Sequence, residues 1–245
     1  MKSLLICLPT YNEVQNIDFA LNSIRNWRLK YPNRKISVIN IDDSSPDGTA
    51  KKARKIAQTW GDEFFQIVNP GKNGLGPAYL TAFTWGLDNG FELFLEFDAD
   101  GSHHIEQADQ MLDNSESCDL VIGTRWMNGG SIINWPAYRR LISRFGTWYA
   151  AKMLELQYRD LTSGFRMLSA HLVKDLVDHP VATKGYGFQI ESVLRCQNLN
   201  LSIREVPITF TERSAGNSKM STKIALEAFW QVTRQGVRHR LPFRD

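Results

Sequence analysis

Short apolar runs alternate with longer amphipathic stretches along the first half of the chain. The runs predict β-strands at Leu4–Leu8, Ser37–Asp42, Phe64–Asn69, Phe91–Phe97 and Leu120–Gly123. The stretches between them predict helices at Glu13–Leu29, Asp47–Trp60, Leu75–Asn89 and Ile105–Asn114. Alternation at this spacing indicates βαβ units and a mostly parallel sheet. Because the runs are apolar throughout, we expect helices on both faces of the sheet.

The second half of the chain is richer in helical patterns. Apolar residues recur at helical spacing within Pro136–Leu156, at Leu141, Phe145, Trp148, Tyr149 and Met153. A further strand is predicted at Leu201–Pro207, and a last amphipathic helix is predicted to begin near Ser221, which suits an N-cap. Since no internal repeat, low-complexity tract or long linker divides the sequence, we predict a single α/β domain over residues 1–245.

Composition adds two exclusions. The 245 residues, 42% of them apolar, are enough for a well-buried core, but the longest apolar runs are strand-sized. The sequence therefore predicts neither a membrane span nor a signal peptide. The three cysteines, Cys7, Cys118 and Cys196, fit neither a disulfide framework nor a paired-cysteine zinc site. Buried thiols in a reducing compartment are the simpler interpretation, and they favour a cytoplasmic location.

The net charge of +3 hides an excess of basic residues in the second half. Between Arg125 and Arg166 there are seven Lys or Arg residues against two Asp or Glu, and the same counts apply between Arg213 and Asp245. This excess predicts an anionic partner. No zinc-finger, helix-turn-helix or aromatic RNA-binding signature accompanies it, so we expect no nucleic-acid partner.

Polar residues gather where the predicted strands end. The first strand leads into Pro9–Glu13 without the Gly-rich turn of a dinucleotide-binding site, and the second ends in Asp42 and Asp43. The fourth is followed by Asp98–Asp100. In such sheets, ligands bind beyond the carboxyl ends of the strands. Two carboxylates separated by one small residue there suit Mg²⁺ or Mn²⁺, which usually bind through one or two carboxylates plus substrate phosphates.

The run from Asp98 to Ser102 also resembles the aspartyl-nucleophile motif of haloacid-dehalogenase-type phosphatases. In those enzymes the motif follows the first strand, with a lysine and a second acidic pair downstream. Here the run follows the fourth predicted strand, and the only Asp-Asp pair lies upstream. This position favours metal binding over a phosphatase nucleophile.

The motifs of this chain, taken in order, resemble those of the inverting family 2 glycosyltransferases of the GT-A fold. This resemblance is carried by Pro9-Thr10-Tyr11-Asn12-Glu13, Asp42-Asp43-Ser44-Ser45-Pro46-Asp47-Gly48-Thr49, Gly74-Leu75-Gly76 and Asp98-Ala99-Asp100. Later segments are similar to dolichyl-phosphate (polyprenyl-phosphate) mannose synthases. They are Gly123-Thr124-Arg125, Arg139 with Ser143, Asp160–Arg166, Gly187–Glu191, Glu205–Phe210, Glu212-Arg213 and Gly216–Met220. The resemblance runs from about Leu4 to Leu226.

The resemblance implies a metal-dependent enzyme that transfers mannose from GDP-mannose to dolichyl or another polyprenyl phosphate with inversion. It divides the chain into a nucleotide-sugar-binding half, 1–124, and an acceptor-binding, membrane-facing half, 125–245. The implied donor-binding residues around the nucleoside are Pro9, Tyr11, Glu13, Ile41 and Asp43, with Asp42 close by. Asp98 and Asp100 would bind the metal, Mg²⁺ or Mn²⁺, with Ala99 between them.

The same resemblance assigns the basic residues. Arg125, Arg213 and Lys219 would bind donor phosphate oxygens, with Arg125 acting beside Asp98 and Asp100 as a catalytic residue. Arg139 and Ser143 would bind the acceptor phosphate. They stand four positions apart, so both side chains would lie on one helix face.

Three points stay open from the sequence. UDP-glucose is an alternative donor, and a non-catalytic nucleotide-sugar-binding module is an alternative function, although such a module would be expected to lose Asp98, Asp100 or the basic residues. Some relatives have Gln as an additional metal contact where this chain has Ser102. For His103 and His104, solvation at a helix start is favoured over contact with the site.

A lipid acceptor implies contact with a membrane. An anionic bilayer surface would suit one predicted helix, with Phe145, Trp148, Tyr149 and Met153 beside Arg139, Arg140 and Arg144. It would also suit the predicted last helix, with Leu226, Phe229, Trp230 and Val237 beside Arg234, Arg238 and Arg240. Packing against the protein core explains either apolar stripe equally well. We expect peripheral attachment to the cytosolic face of a membrane, directly or through a small membrane-anchoring protein.

Overall fold

A computed structural model describes residues 1–180, 187–212 and 229–237. Its centre is a seven-stranded sheet in the order β3-β2-β1-β4-β7-β5-β8. The strands are β1 (Leu4–Thr10), β2 (Ile36–Asp42), β3 (Phe64–Val68), β4 (Leu93–Glu96), β5 (Leu120–Thr124), β7 (Arg166–Ser169) and β8 (Ile203–Pro207). Two short parallel strands, β6 (Ser131–Ile133) and β9 (Thr209–Thr211), form a second sheet.

Within the described residues, seven α-helices have both ends defined: α1 (Ile17–Arg28), α2 (Thr49–Ile56), α3 (Leu75–Asp88), α4 (Ala108–Ser115), α5 (Ala137–Leu154), α6 (Ala170–Asp178) and α7 (Gly187–Asn198). Residues 229–237 are also helical. Alternate residues of β1 pack into two hydrophobic cores, one on each face of the sheet. Leu4, Ile6 and Leu8 pack with α1 and α4, whereas Leu5 and Cys7 pack with α3, α6 and α7. The prediction of helices on both faces of a mostly parallel sheet is therefore confirmed.

The elements depart from the predicted ones in a few places. β7 was not predicted, and it runs antiparallel to both β4 and β5. Its four residues are too few to show a periodicity of their own. β3 is the outermost strand and is only half-buried, so the expectation of full coverage is wrong there. α1 begins at Ile17, later than Glu13, because the backbone of residues 11–16 is a polar loop.

All strands of the main sheet except β7 point the same way, so their carboxyl ends share one edge. Since β7 is antiparallel, it is entered from that same edge, at Arg166. The polar loops after β1, β2, β4 and β5 and the loop before β7 therefore meet there. The predicted start of the last helix, near Ser221, lies outside the described residues. Within the described ranges, no helix has the length and apolarity that crossing a bilayer requires.

Candidate active site

The loops after β1 and β2 are joined by the carboxylate of Asp42. Thr10, its register partner in β1, donates a hydroxyl hydrogen bond of 2.8 Å to Oδ2. Ser45 donates to the same carboxylate through its backbone N–H, at 2.7 Å, and through its hydroxyl, at 2.7 Å. Asp42 is fully buried, and the whole of β2, which it ends, is buried as well. The structure thus gives Asp42 a role in shaping the loop after β2, while its assignment as a donor contact stays a prediction.

Asp43 holds the loop between β3 and α3. Its Oδ1 accepts a hydrogen bond of 2.8 Å from the Asn69 amide, and its Oδ2 accepts from the backbone N–H groups of Asn73 and Gly74, both at 3.1 Å. Gly74 takes a φ of 99°, in the region that favours glycine. The carboxylate therefore organises the Gly74-Leu75-Gly76 turn beside the predicted nucleoside site.

The other predicted nucleoside contacts lie around these two carboxylates. Pro9 and Ile41 are register partners on β1 and β2. Glu13 is buried and accepts a hydrogen bond of 2.8 Å from the Asn16 amide. The ammonium of Lys72 lies 4.1 Å from the centre of the Tyr11 ring, a cation–π contact between the β1 loop and the loop before α3. The structure brings all of these residues to one end of the sheet.

Asp98 and Asp100 follow β4 at the centre of that edge. Asp98 Oδ1 accepts a weak hydrogen bond of 3.4 Å from the hydroxyl of Tyr79, and Asp100 Oδ1 accepts one of 3.0 Å from the backbone N–H of Ser102. Burial and the neighbouring Asp98 charge raise the pKa of Tyr79 well above its ordinary value, so its hydroxyl stays protonated and available as a donor.

The surroundings of Asp98 and Asp100 fit a divalent cation. A Cβ built on Gly164 would lie 3.5 Å from Asp98 Oδ2, so the glycine leaves space beside this carboxylate. Among the described residues, no group of three or more His, Cys, Asp or Glu side chains is arranged to hold a metal. Two carboxylates completed by phosphate oxygens of a substrate are the arrangement that Mg²⁺ favours. Ser102 is buried, and its role toward a metal stays open.

Arg125 is fixed by Asp160 in the loop before β7. Its Nε and Nη2 each donate a hydrogen bond of 2.7 Å to the two oxygens of Asp160, and its backbone N–H donates at 3.1 Å. Burial alone raises the pKa of Asp160, but the Arg125 charge and these hydrogen bonds outweigh it, so the pKa lies below its ordinary value. Arg125 is therefore a pre-oriented cation at the sheet edge.

A predicted donor-phosphate residue, Arg125, lies next to a predicted acceptor-phosphate residue, Ser143. Arg125 Nη2 donates to the hydroxyl of Ser143 at 3.4 Å and to that of Thr162 at 2.9 Å. Arg139, one turn before Ser143 on α5, forms an ion pair with Glu212. The structure thus places Ser143 in contact with Arg125 and confirms that Arg139 and Ser143 share one helix. Arg213 and Lys219 lie outside the described residues.

His103 does not lie in solvent at a helix start, so that expectation is wrong. Only 3% of it is exposed, and its ring stacks on Phe165 with centroids 5.1 Å apart. Burial lowers its pKa to about 4, which leaves the imidazole neutral. His104 is half-buried and its Nε2 lies 3.2 Å from the hydroxyl of Thr211. The ring of His103 therefore packs the wall of the site instead of adding charge.

Sequence reasoning assigned no role to three buried polar residues of this site: Tyr79, Glu96 and Asp160. Glu96 is fully buried in β4, and burial raises its pKa to about 7 although the Arg166 charge opposes the rise. Of the three, only Asp160 could have been noticed in the sequence, because it is an acidic residue that begins the mostly polar run Asp160–Gly164. Tyr79 follows a helical apolar pattern, and Glu96 ends an apolar strand, so both match ordinary core spacing.

Comparison with known proteins identifies the family of this chain. The sequence profile described as glycosyl transferase family 2 matches residues 5–177, more than half of the chain. The chain belongs to glycosyl transferase family 2. It is 40% identical to undecaprenyl-phosphate mannosyltransferase of Micrococcus luteus over 96% of this chain and 95% of that protein. It is 37% identical to polyprenol monophosphomannose synthase of Mycolicibacterium smegmatis over 97% and 88%.

Solved structures of this fold support the architecture. Glucosyl-3-phosphoglycerate synthase from Mycobacterium tuberculosis, in complex with Mn²⁺, UDP and phosphoglyceric acid, superposes with a TM-score of 0.68 at 17% identity, covering 100% of this chain and 80% of that one. Its complex with Mn²⁺ and UDP-glucose gives a TM-score of 0.67 at 19% identity, over 100% and 80%. At this identity the similarity establishes the GT-A type fold, and the family membership establishes a glycosyltransferase.

Proposed function

We propose that this glycosyltransferase transfers mannose from GDP-mannose to dolichyl or another polyprenyl phosphate, with inversion at the sugar carbon. The observation that carries the proposal is the contact between Arg125 and Ser143, because it joins a buried cation at the carboxyl end of the sheet to helix α5. The names of the two relatives above agree with mannose and a polyprenyl phosphate. Residues 1–124 would bind the donor and residues 125–245 the acceptor.

The chemistry of the reaction suits these residues. Breaking the bond between the sugar and the diphosphate leaves negative charge on the leaving group. Asp98 and Asp100 would hold Mg²⁺ or Mn²⁺, which supplies charge stabilisation at the diphosphate. Arg125, fixed by Asp160, adds a preorganised cation without a proton transfer. A phosphate acceptor is already anionic, so a strong general base is unnecessary, which agrees with His103, whose ring stacks on Phe165 and whose lowered pKa of about 4 makes it a weak base.

Transfer to a lipid phosphate tests the proposal directly. Purified protein is incubated with labelled GDP-mannose or UDP-glucose, a polyprenyl phosphate, and Mg²⁺, Mn²⁺ or EDTA, and the label extracted into organic solvent is counted. We expect metal-dependent extraction with GDP-mannose. Label from UDP-glucose alone would replace mannose with glucose in the proposal. No lipid-linked sugar from either donor would contradict it.

Arg139→Ala is expected to weaken use of the lipid phosphate more than it slows the chemistry. A charge-assisted hydrogen bond is worth about 1.5–3 kcal/mol, so the KM for the acceptor should rise about 10- to 100-fold while kcat changes less. The measurement is initial-rate kinetics with a short-chain polyprenyl phosphate in detergent, where bilayer binding does not limit the rate.

Arg140→Ala is the matched control for that variant, since Arg140 is the next residue of α5 and is exposed. We expect its KM for the acceptor to stay within about twofold of the parent, because an exposed arginine that makes no substrate contact contributes little to binding. An Arg139→Ala enzyme with an unchanged acceptor KM would remove Arg139 from the acceptor site.

Helix α5 presents an apolar face to solvent. Leu141, Phe145 and Trp148 are 71%, 55% and 56% exposed, whereas Tyr149 and Met153 turn toward the core. The predicted stripe is therefore divided between a membrane-type surface and core packing. The helical residues 229–237 lie against α5, where Tyr149 stacks on Phe229 with centroids 4.4 Å apart.

The two helices together extend this surface, which we call the aromatic face. Its exposed members are Tyr138, Leu141, Ile142, Phe145, Trp148, Phe229 and Trp230. Arg140 and Arg144 are exposed on the same helix, α5, a combination suited to anionic lipid headgroups around apolar side chains. Because Ser143 lies on this helix beside Arg125, an acceptor phosphate at the headgroup level would reach the site. We therefore place the aromatic face on the membrane surface.

Replacing Phe145 and Trp148 by Ser is expected to weaken binding to vesicles containing anionic phospholipid by at least about tenfold, since each large apolar side chain contributes roughly 1.5–3 kcal/mol when buried. Cosedimentation with the vesicles measures the effect. Phe19→Ser, which removes an equally exposed aromatic ring from α1, should leave binding unchanged. If the parent protein itself does not sediment with the vesicles, attachment requires a membrane-anchoring partner instead.

A further inference from the structure

Arg166 is a fully buried cation at the start of β7. Its Nε donates a hydrogen bond of 2.8 Å to the carbonyl of Ser163, and its Nη2 donates one of 2.8 Å to the carbonyl of Leu161. Its Nη1 donates to the Ser192 hydroxyl at 2.7 Å and also to the carbonyl of Gln189. The guanidinium therefore ties the loop before β7, residues 160–164, to the first turns of α7.

A carboxyl group lies opposite Arg166 on the neighbouring strand. Glu96 is its register partner in the β4–β7 pair, and it is also fully buried. Arginine is almost never fully buried without an opposite charge, because the desolvation cost is several kcal/mol. A residue that only joined β7 to α7 would not need a charge at all, since apolar side chains do this throughout the core. The planar guanidinium presents several N–H donors in fixed directions, and two of them hold the loop before β7 here.

The loop held by Arg166 contacts both halves of the candidate active site. At its beginning, Asp160 fixes the guanidinium of Arg125 through two hydrogen bonds of 2.7 Å. At its end, the Cα of Gly164 lies so close to Asp98 that an added Cβ would be 3.5 Å from Oδ2. The position of this loop therefore sets the position of Arg125 relative to the carboxylates after β4.

We propose that Arg166 is a positioning residue for glycosyl transfer, which holds the loop of residues 160–164 so that Arg125 and Asp98 keep their relative placement. This inference rests on the proposed function of the same site. It assigns to Arg166 no contact with substrate. Its effect on the reaction is transmitted through Asp160 and Gly164, and its charge is stabilised by Glu96.

Arg166→Lys separates this role from a simple contribution to stability. Lysine keeps the positive charge opposite Glu96, but its single ammonium cannot reach Leu161, Ser163, Gln189 and Ser192 together. Since a displacement of about 1 Å can cost about 100-fold in rate, we expect kcat to fall about 100-fold while the KM for the donor changes less than about threefold. The assay is transfer to polyprenyl phosphate, with thermal unfolding measured in parallel.

Leu168→Ala is the matched control, because Leu168 is fully buried on the same strand and packs in the hydrophobic core, where its apolar side chain makes no hydrogen bond to the loop of residues 160–164. We expect Leu168→Ala to lower the unfolding temperature at least as much as Arg166→Lys while kcat stays within about twofold, at a temperature where both variants are folded. Equal losses of kcat in the two variants, or an unchanged kcat in Arg166→Lys, would overturn the proposal.

Ser192→Ala decides the question if Arg166→Lys does not fold. It removes one hydrogen bond to Arg166 Nη1 and leaves the charge pair intact. A kcat lowered about fivefold with little change in unfolding temperature supports positioning by Arg166, since one net hydrogen bond is worth about 1 kcal/mol. An unchanged kcat would contradict it. The parent enzyme is assayed alongside, so inactivity of the parent refutes the proposed function and not this inference.

Discussion

Asp100→Ala is expected to lower kcat by about a thousandfold or more without unfolding the protein. The carboxylate is buried in the loop after β4, two residues beyond Asp98, where its Oδ1 accepts a hydrogen bond from the backbone N–H of Ser102. Removing one of two anionic ligands leaves a divalent cation with too few oxygen partners, so charge on the leaving diphosphate loses its stabilisation. Initial rates over a range of Mn²⁺ concentrations measure the loss, and calorimetry of Mn²⁺ with GDP measures the lost metal binding.

Asp113→Ala provides the control for that variant. Asp113 is an exposed carboxylate on α4, away from the sheet edge, so its removal changes the net charge equally without touching the site. We expect its kcat to stay within about twofold of the parent, as surface substitutions rarely alter a distant site. Near-normal turnover by Asp100→Ala would show that this residue does not bind the metal.

Asp160→Ala has the second largest expected effect, and it acts on stability and turnover together. It leaves Arg125, which is 7% exposed, without the carboxylate that accepts two of its hydrogen bonds. Breaking a buried ion pair by removing one partner costs about 3–5 kcal/mol, because the remaining charge stays desolvated. We expect a loss of this size in the free energy of unfolding, measured by urea denaturation, together with a loss of kcat.

The double variant Arg125→Met/Asp160→Leu separates the two effects. Replacing both charges by apolar side chains of similar size is often neutral for stability, so the free energy of unfolding should recover while turnover stays low. The pH dependence provides a second check. Because folding lowers the pKa of Asp160, the pair contributes fully above the unfolded value of 3.8 and this contribution is lost as the pH falls below it. An Asp160→Ala protein as stable and active as the parent would contradict this role.

The order of strands and helices in the first half could be predicted from the sequence. Buried strands such as β1 and β2 are apolar on both faces, and each is followed by an amphipathic helix, which leaves a parallel sheet as the consistent arrangement. The short antiparallel β7 could not be predicted in this way. Its Arg166 and Ser169 are polar, and it is a strand only because β4 and β5 bind it on both sides.

The candidate site could likewise be predicted only in part from the sequence. The rule that ligands bind beyond strand carboxyl ends, applied to Asp42, Asp43, Asp98 and Asp100, located it from the sequence. Which of these carboxylates face a ligand depends on contacts between residues far apart in the chain. Asp42 and Asp43 are engaged by Thr10, Ser45, Asn69 and the turn at Asn73-Gly74. Strand-end position alone does not separate such carboxylates from Asp98 and Asp100, the two proposed to bind the metal.

By itself, the sequence determined the fold class, the family and the end of the sheet at which the candidate site lies, because these depend on local periodicity and on motifs that are contiguous in the chain. Only the tertiary structure decided how the cations of the second half are held. The Asp160–Arg125 ion pair and the register pair Glu96–Arg166 join residues 35 and 70 positions apart in the chain. Packing of strands and helices creates the low-dielectric surroundings in which such charges must pair, and sequence spacing carries no record of that proximity.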